Sequence, residues 1–205
     1  MTGRERALRR EDLDADPIRQ FQAWFEEARE AGVPLPEACT VATASVDARP
    51  SARMVLLKDV DGHGFVFATN YDSRKGRELG KNPHAALLFY WHALGRQVRV
   101  EGAVERTNAA ESDEIFLARP RLSRISALAS RQSDPLESRA ALEERVRALE
   151  TRLERREIER PGFWGGYRVV PDEIEFWQHR DDRLHDRLVY THGAEGSWRI
   201  SRLQP

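Results

Sequence analysis

Two stretches, AALLFYW (residues 85–91) and QVRVEGAV (residues 97–104), decide the fold predicted from this sequence. Both are short and rich in β-branched or aromatic residues, and a turn signal at Ala93-Leu94-Gly95 separates them. Such a pair predicts two neighbouring strands. Similar stretches occur at residues 40–46, 52–58 and 65–69. Five strands at this spacing, mostly joined by tight turns, predict an antiparallel meander that closes into a barrel.

Helices are predicted around and after these strands. The first begins at the cap Asp16, has Pro17 in its first turn and ends before Gly32-Val33-Pro34. Further helices are predicted over residues 73–80, over residues 109–117, and from Asp134-Pro135 onward. Strand patterns return at residues 167–170, 173–178, 187–190 and 198–203. This order predicts a single α+β domain whose last strands rejoin the first barrel.

The composition is that of a soluble globular protein. Of the 205 residues, 40% are hydrophobic and 33% are charged, enough for one core in a single domain. The 33 Lys and Arg residues nearly balance the 34 Asp and Glu residues, which argues against a nucleic-acid-binding protein. Four arginines and one acid lie within residues 1–10. We therefore expect a flexible basic arm over residues 1–15 and one domain over residues 16–205.

Cys39 is the only cysteine, which excludes an intramolecular disulfide and any cysteine-based zinc or iron–sulfur cluster. No apolar run approaches the length of a membrane span, and the start of the chain lacks the apolar stretch of a signal peptide. We expect a cytoplasmic protein that does not bind membranes. No two of the six histidines have helical i,i+4 spacing, and no metal site is predicted.

Two segments in the first part of the chain carry chemistry that suits an anion. SRKG (residues 73–76) lies where a strand ends and a helix begins, so free N–H groups would face an anion beside Arg74 and Lys75. A solvated helix start explains this segment equally well. Arg53 and Lys58 lie five residues apart on one predicted strand. They point to opposite faces unless a bulge or a strand end lies between them.

Two later segments have related chemistry. RPRLSR (residues 119–124) holds three arginines and a hydroxyl, which is good phosphate-binding chemistry, although a charged loop between helices is the alternative. RLHDR (residues 183–187) would place Arg183, His185 and Arg187 on one face if the segment is extended. Two cations and a titratable imidazole on one face are costly unless an anionic ligand compensates them.

Together these segments resemble the pyridoxamine 5'-phosphate oxidase family, flavin enzymes of vitamin B6 metabolism. The matching stretches follow the family's order over nearly the whole chain, at residues 53–58, 67–75, 96–98, 119–123, 131–133, 163–167, 175–178 and 183–187. The resemblance implies a split β-barrel homodimer with surrounding helices that binds FMN at the subunit interface.

The resemblance also implies a role for individual residues. The residues that would contact FMN are Arg53, Met54, Val55, Leu56, Leu57, Lys58, Ala68, Thr69, Arg74, Lys75, Gln97, Gln132, Ser133, Trp177 and Arg187. Lys58, Arg119 and Ser123 would bind the substrate phosphate, with Ile115 at a fourth position of that site. Arg183 and His185 would be the catalytic residues, over the pyridine ring and near the carbon that loses hydride.

The implied activity is oxidation of pyridoxine or pyridoxamine 5'-phosphate to pyridoxal 5'-phosphate by dioxygen, with release of hydrogen peroxide. Two positions depart from the family: Ile115 replaces a tyrosine that donates to the substrate phosphate, and Ala68 stands where a tyrosine is common. Arg121 or Arg124 could supply the missing donor. The departures favour the alternative of an FMN-dependent oxidase of the phenazine-biosynthesis type, acting on another aromatic substrate. A non-enzymatic module that binds flavin, haem or a B6 phosphate is the third possibility.

Overall fold

In the computed structural model, which describes residues 7–192 and 196–205, eight antiparallel strands form one sheet. The strands are β1 (Ala38–Ala44), β2 (Pro50–Asp61), β3 (Gly64–Asn70), β4 (His84–Trp91), β5 (Arg96–Arg106), β6 (Trp164–Gln178), β7 (Asp186–His192) and β8 (Trp198–Arg202). Their order is β3-β2-β1-β4-β5-β6-β7-β8, and β3 also pairs with β6. That extra pairing closes a barrel of six strands, so the predicted α+β antiparallel barrel is confirmed.

Strand β6 is shared between the barrel and its extension. Residues 164–169 pair with β3, whereas residues 173–178 pair with β7. The prediction of two separate strands at residues 167–170 and 173–178 is wrong, because β6 continues through Pro171. The register with β5 shifts between Glu101 and Gly102, opposite this proline. A bulge accommodates a residue that has no N–H to donate, so the strand bends here without ending.

Among the described residues, five α-helices lie around the barrel: α1 (Pro17–Glu30), α2 (Arg74–Leu79), α3 (Ala109–Leu117), α4 (Arg121–Ala129) and α5 (Arg139–Leu153). The first three confirm the predicted helices, and Asp16 caps α1 by accepting from the N–H of Ile18 at 2.9 Å. Helix α5 begins later than predicted because Ser138 is its cap, accepting from Ala141. Helix α4 was not predicted, since its arginines and serines are typical of a charged loop as well.

Two apolar cores hold these elements. In the larger core, Phe21 of α1 fills the barrel and contacts the rings of Phe65, Phe89 and Trp91. The smaller core consists of Phe116, Ile125, Ile158 and Trp164, and it joins α3 and α4 to the beginning of β6. Because close packing fixes such elements relative to each other, the smaller core places α4 beside the barrel wall.

Part of the predicted basic arm, including Arg4 and Arg6, lies outside the described residues. From residue 7 the chain lies against the sheet: Leu8 is buried, and its N–H donates to Asp186 at 3.0 Å. Its carbonyl accepts from Arg202 at 2.8 Å. This part of the arm is therefore held by β7 and β8.

Within the described ranges, none of the helices has both the length and the apolar character needed to cross a membrane. Cys39 is free and buried, and burial raises the pKa of its thiol to about 12. The thiol is therefore not activated for nucleophilic chemistry. The cytoplasmic location stays a prediction.

Candidate active site

A cavity of about 550 Å³ opens between β2, β3 and α4. Its charged lining residues are Lys58, Lys75 and Arg119, and no carboxylate lies among the described residues that line it. We call it the cationic cavity. Its other lining residues are Met54, Val55, Leu56, Ala68, Thr69, Asn70, Pro120, Ser123, Ser126, Ala127, Ser130, Gln132 and Trp164. Three cations without a compensating acid favour an anionic ligand.

Strand β2 forms one wall of the cationic cavity. Met54 and Leu56 point outward and are 63% and 39% exposed, whereas Leu57 points into the core and does not line the cavity. The register with β3 shifts between Leu57 and Asp59, so a bulge lies at Lys58. Pairing with β1 is regular at Arg53, so its side chain points away from that of Lys58 and does not itself line the cavity, although its charge acts on Lys75. Because the bulge lies at Lys58 itself and not between the two residues, it does not turn Arg53 and Lys58 to the same face of β2.

Lys75 supplies the buried cation at one end of the cavity. Its Nζ donates to Thr69 Oγ1 at 2.9 Å and to Gln132 Oε1 at 3.3 Å. Burial, together with the charge of Arg53, lowers the pKa of Lys75 to about 8. An anion in the cavity would stabilise this ammonium. The contact also brings the loop that carries Gln132 onto the barrel.

The prediction of free N–H groups at the start of α2 is wrong in detail. Ser133 Oγ accepts from the N–H of Arg74 at 3.1 Å, and Ser73 Oγ accepts from that of Gly76 at 3.3 Å. Gly76 is required here because a Cβ would overlap the carbonyl of Tyr71. Two of the first three backbone donors of α2 are thus occupied, and side chains must provide most of the anion contacts.

At the other end of the cavity, Arg119 lies over the ring of Trp164, with 4.9 Å between guanidinium carbon and ring centroid. Its Nη1 is buried and has no hydrogen-bond partner among the described residues. Burial lowers the pKa of Arg119. A buried donor without a partner costs about 1–3 kcal/mol, which an anionic ligand would recover.

Helix α4 and its C-cap residue Ser130 add a row of hydroxyls, of which the sequence indicated only Ser123. Ser123, Ser126 and Ser130 all line the cavity. Their spacing of three and four residues puts them on one face of a helix. This spacing could have been recognised in the sequence if a helix had been predicted here. Trp164 and Asn70 are further lining residues that were not predicted.

Ile115 does not line the cationic cavity. It lines a neighbouring cavity of about 420 Å³ that shares Lys58, Arg119 and Pro120 with the first. Unlike the first cavity, this one also has acidic lining residues, Asp59, Glu111 and Glu114. Arg121, considered as a replacement donor, instead donates to the backbone carbonyls of Leu153 and Arg156 at the end of α5. Arg124 does not line either cavity.

The remaining predicted residues form a second group that we call the β6–β7 end: Gln97, Trp177, Arg183, His185 and Arg187. Gln97 and Arg187 are the register partners of Trp177 on its two sides. The rings of Trp177 and His185 are 4.6 Å apart. None of this group lines the cationic cavity of the same chain. Trp164 and Trp177 are thirteen residues apart on β6, roughly 40 Å along an extended strand.

The β6–β7 end is ordered by contacts within the chain. Arg187 donates to both oxygens of buried Glu175, with distances of 2.6 and 3.0 Å. His185 Nδ1 accepts from the N–H of Arg180 at 3.1 Å, so the neutral ring carries its proton on Nε2. The prediction that Arg183 shares a face with His185 and Arg187 is wrong, because Arg183 lies in a turn with φ 63° before β7 begins.

No three His, Cys, Asp or Glu side chains are arranged to hold a metal ion within residues 7–192 and 196–205. The cluster of His179, Asp181 and His185 forms ring and hydrogen-bond contacts instead. His179 Nε2 lies 3.2 Å from Asp181, and the two imidazole centroids are 5.2 Å apart.

Comparison with known proteins gives consistent matches over nearly the whole chain. The family description Pyridoxamine 5'-phosphate oxidase matches residues 25–152, and Pyridoxine 5'-phosphate oxidase C-terminal dimerisation region matches residues 164–205. The Pyridoxine/pyridoxamine 5'-phosphate oxidase of Rubrobacter xylanophilus is 59% identical over 198 residues, 97% of this chain and 91% of that protein. The relative of the same name from Trichormus variabilis is 53% identical over 199 residues, 97% and 93% of the two chains.

Among solved structures, PhzG from Burkholderia lata 383 in complex with tetrahydrophenazine-1-carboxylic acid is similar throughout. The TM-score is 0.92 at 34% identity, covering 98% of this chain and 100% of that one.

Proposed function

The chain belongs to the pyridoxamine 5'-phosphate oxidase family, and we propose that it is an FMN-dependent oxidase of pyridoxine and pyridoxamine 5'-phosphate. The products are pyridoxal 5'-phosphate and hydrogen peroxide, with dioxygen as the electron acceptor; the amine substrate also consumes water and releases ammonia. The observation that carries this proposal is the cationic cavity, whose described lining has three cations and no acid. Such a site suits a cofactor and a substrate that each bring a phosphate.

The residues present fit FMN. Lys75, Thr69 and Gln132 form a polar group at one end of the cavity, where the buried ammonium has no acid beside it in the described lining and suits the cofactor phosphate. Met54 and Leu56 supply an apolar wall for a flat ring system. FMN, when bound, would supply the hydride acceptor and the reaction with dioxygen.

Lys58, Arg119 and Ser123 would bind the substrate phosphate at the other end of the cavity. Arg119 is already oriented by Trp164, and its buried Nη1 has a donor to offer. A phosphate held at a fixed point positions the rest of the substrate, which turns binding energy into alignment of the reacting carbon.

We assign the β6–β7 end to the site of a second subunit. Arg183 and His185 would contact the substrate there, with the His185 Nε2–H directed by the hydrogen bond at Nδ1. Trp177 and Arg187 would contact the cofactor, Arg187 being held by Glu175. A homodimer of this kind agrees with the dimerisation region matched over residues 164–205 and with the exposed Met54 and Leu56. Light scattering should give about twice the 23.6 kDa chain mass, as expected of a C₂ dimer.

The proposal is tested by mixing the purified, FMN-loaded protein with pyridoxamine 5'-phosphate in the absence of oxygen. The flavin absorbance should bleach within one turnover and return when air is admitted. Pyridoxamine without the phosphate is the matched control, and it should bleach the flavin far more slowly. Equal rates for the two compounds would contradict the assigned phosphate site.

Oxidation of another aromatic substrate is the second candidate, and Ile115 favours it. Isoleucine cannot donate to a phosphate, and it opens onto the cavity adjoining Lys58 and Arg119. The solved relative PhzG carries tetrahydrophenazine-1-carboxylic acid. Faster anaerobic bleaching by that acid than by pyridoxamine 5'-phosphate would decide for this candidate.

A further inference from the structure

Glu78 on α2 is a buried carboxylate that was assigned no role from the sequence. Its side chain is only 8% exposed, yet four side chains donate to it. Oε2 accepts from Thr43 at 2.5 Å, from Ser51 at 2.6 Å and from Arg53 Nη2 at 3.4 Å. Oε1 accepts from Arg74 Nε at 2.8 Å. One carboxylate therefore joins two cations that come from different elements, β2 and α2.

The carboxylate stays ionised under all ordinary conditions. Burial alone would raise the pKa of Glu78, but hydrogen bonds from Ser51, Thr43 and Arg74, with the charge of Arg53, lower it to about 2. Glu78 is thus a fixed negative charge and not a group that exchanges protons during turnover. Its function must therefore lie in positioning the side chains that donate to it.

The two arginines are held in different ways. Arg53 also donates to Thr43 Oγ1 and Ser51 Oγ, both at 2.6 Å, so its guanidinium is fixed on several sides. Arg74 is 60% exposed and is bound to Glu78 through Nε alone. Its two terminal nitrogens make no hydrogen bond to the residues that the structure describes. Glu78 therefore anchors the inner edge of Arg74 and leaves the outer donors available.

We propose that Glu78 is a positioning residue for the cofactor phosphate, acting through Arg74 and Arg53. The inference rests on the proposed function, which places a phosphate beside Lys75, the neighbour of Arg74. An exposed arginine loses side-chain entropy when it is ordered. A partner that orders it beforehand removes that cost from ligand binding.

The opposite effect of Glu78 is also physically reasonable, so the sign of the result is informative. As a countercharge, the carboxylate reduces the positive potential of Arg53 and Arg74, and removing it would strengthen phosphate binding. As a positioning group it orders the same arginines, and removing it would weaken phosphate binding. The structure favours positioning because the Arg74 Nε contact fixes the direction of an otherwise mobile guanidinium.

The test compares binding of FMN and riboflavin to the full-length apoprotein, measured by quenching of flavin fluorescence. Riboflavin lacks the phosphate and reports only on the ring site. Glu78→Gln should lower FMN affinity roughly tenfold, as is typical of groups that orient a ligand's direct partners, and leave riboflavin affinity unchanged. Glu143→Gln is the matched control, since the Arg139 Nε–Glu143 Oε1 pair has the same i,i+4 geometry at 2.7 Å on exposed α5.

Each outcome has a distinct meaning. A wild-type protein that binds FMN no better than riboflavin would overturn the proposed cofactor, whatever Glu78 does. A wild-type preference for FMN that is unchanged or larger in Glu78→Gln would overturn the positioning role. If that variant does not fold, Glu78→Asp keeps the charge but is too short to reach both arginines, and the FMN preference should fall again. The effect of Glu78→Gln should also be lost in an Arg53→Ala/Arg74→Ala background, and persistence there would contradict action through these two residues.

Discussion

The cationic cavity and the β6–β7 end satisfy their charges in opposite ways. The described lining of the cationic cavity contains Lys58, Lys75 and Arg119 but no acid, and Arg119 has a buried donor without a partner among the described residues. At the β6–β7 end, Arg187 and Arg99 share the buried carboxylate of Glu175. The first region is complete only with anionic ligands, whereas the second is held together by its own contacts.

This difference indicates separate tasks for the two regions. The cations of the cationic cavity are free to bind anionic ligands. Substitutions of these cations should therefore alter the affinity for cofactor and substrate. His185 and Arg187 are held by internal hydrogen bonds and an ion pair, so they keep a fixed geometry, and changes to His185 should alter turnover. Because β6 separates the two regions within one chain, each active site would take one region from each subunit.

Complementation between two inactive variants is the strongest test of that division. We expect Lys58→Ala/Arg119→Ala and Arg183→Ala/His185→Ala each to lose about a hundredfold or more of kcat/KM as homodimers. A heterodimer with one chain of each kind contains one intact site out of two. It should regain about half of the wild-type activity per dimer, because the two sites of a C₂ dimer are equivalent.

The measurement uses co-expression with two different affinity tags and sequential purification of the mixed dimer. A heterodimer that stays as inactive as both parents would show that each chain builds its own site, and the comparison of the two regions would then fail. The heterodimer of wild type with Arg183→Ala/His185→Ala provides the scale for one intact site.

Loss of FMN is the next largest expected effect. Arg74→Ala/Lys75→Ala removes two charged donors near the proposed position of the cofactor phosphate, and at about 1.5–3 kcal/mol each this should weaken binding more than a hundredfold. The purified variant should be colourless. Arg139→Ala/Lys81→Ala, which removes two exposed cations elsewhere, should stay yellow. Full flavin loading of the first variant would remove the phosphate assignment.

The two regions also differ in how far the sequence could predict them. Barrel strands were predictable because β-branched residues alternate between clear turn signals, and the cap Asp16 and the helix residues 109–117 follow local rules. The contacts of Lys75 with Gln132 and of Glu78 with Ser51 join residues 57 and 27 positions apart. No local sequence pattern encodes such long-range contacts. The family resemblance pointed to Gln132, but neither the resemblance nor a local pattern pointed to Glu78.

Alternation arguments succeeded at Arg53 and failed at Arg183 for a physical reason. Arg53 lies within regular pairing to β1, where successive side chains must point to opposite faces. Arg183 lies in a turn with positive φ, a conformation that non-glycine residues seldom adopt and that charge pattern alone does not reveal. Helix α4 was missed because polar helices and charged loops share a composition.

Ile115→Tyr should have a smaller effect and would sharpen the boundary between the two cavities. A phenol at this position would approach Lys58 and Arg119 from the neighbouring cavity and could donate to the substrate phosphate. We expect KM for pyridoxine 5'-phosphate to fall by up to about tenfold with little change in kcat, because the contact is remote from the reacting carbon. Ile115→Phe is the control without the hydroxyl. Equal kinetics for the two variants would show that the phosphate is out of reach of residue 115.

The pH dependence of FMN affinity is the smallest expected effect. It tests whether Lys75 lacks a counter-charge when the cavity is empty of ligand. Burial, with the charge of Arg53, lowers the pKa of Lys75 from its ordinary value of 10.5 to about 8 in the ligand-free protein. Cofactor phosphate would stabilise the ammonium and raise this pKa, so binding takes up a proton above pH 8. If only the protonated form binds well, affinity should fall about tenfold between pH 7 and pH 9.

Unlike the FMN affinity, the stability of the ligand-free protein should increase as the pH rises. Since the pKa of Lys75 is lower in the folded than in the unfolded chain, this residue makes folding more favourable as pH rises from about 8 towards 10.5. Lys75→Arg keeps its charge over the whole range, so both the affinity profile and the stability profile should flatten.

Isothermal titration in two buffers of different ionisation enthalpy counts the protons taken up at pH 8.5. Proton uptake by wild type that persists unchanged in Lys75→Arg would place the titrating group elsewhere. No uptake in wild type would mean that the Lys75 ammonium already has its counter-charge, and the cavity would then resemble the β6–β7 end after all.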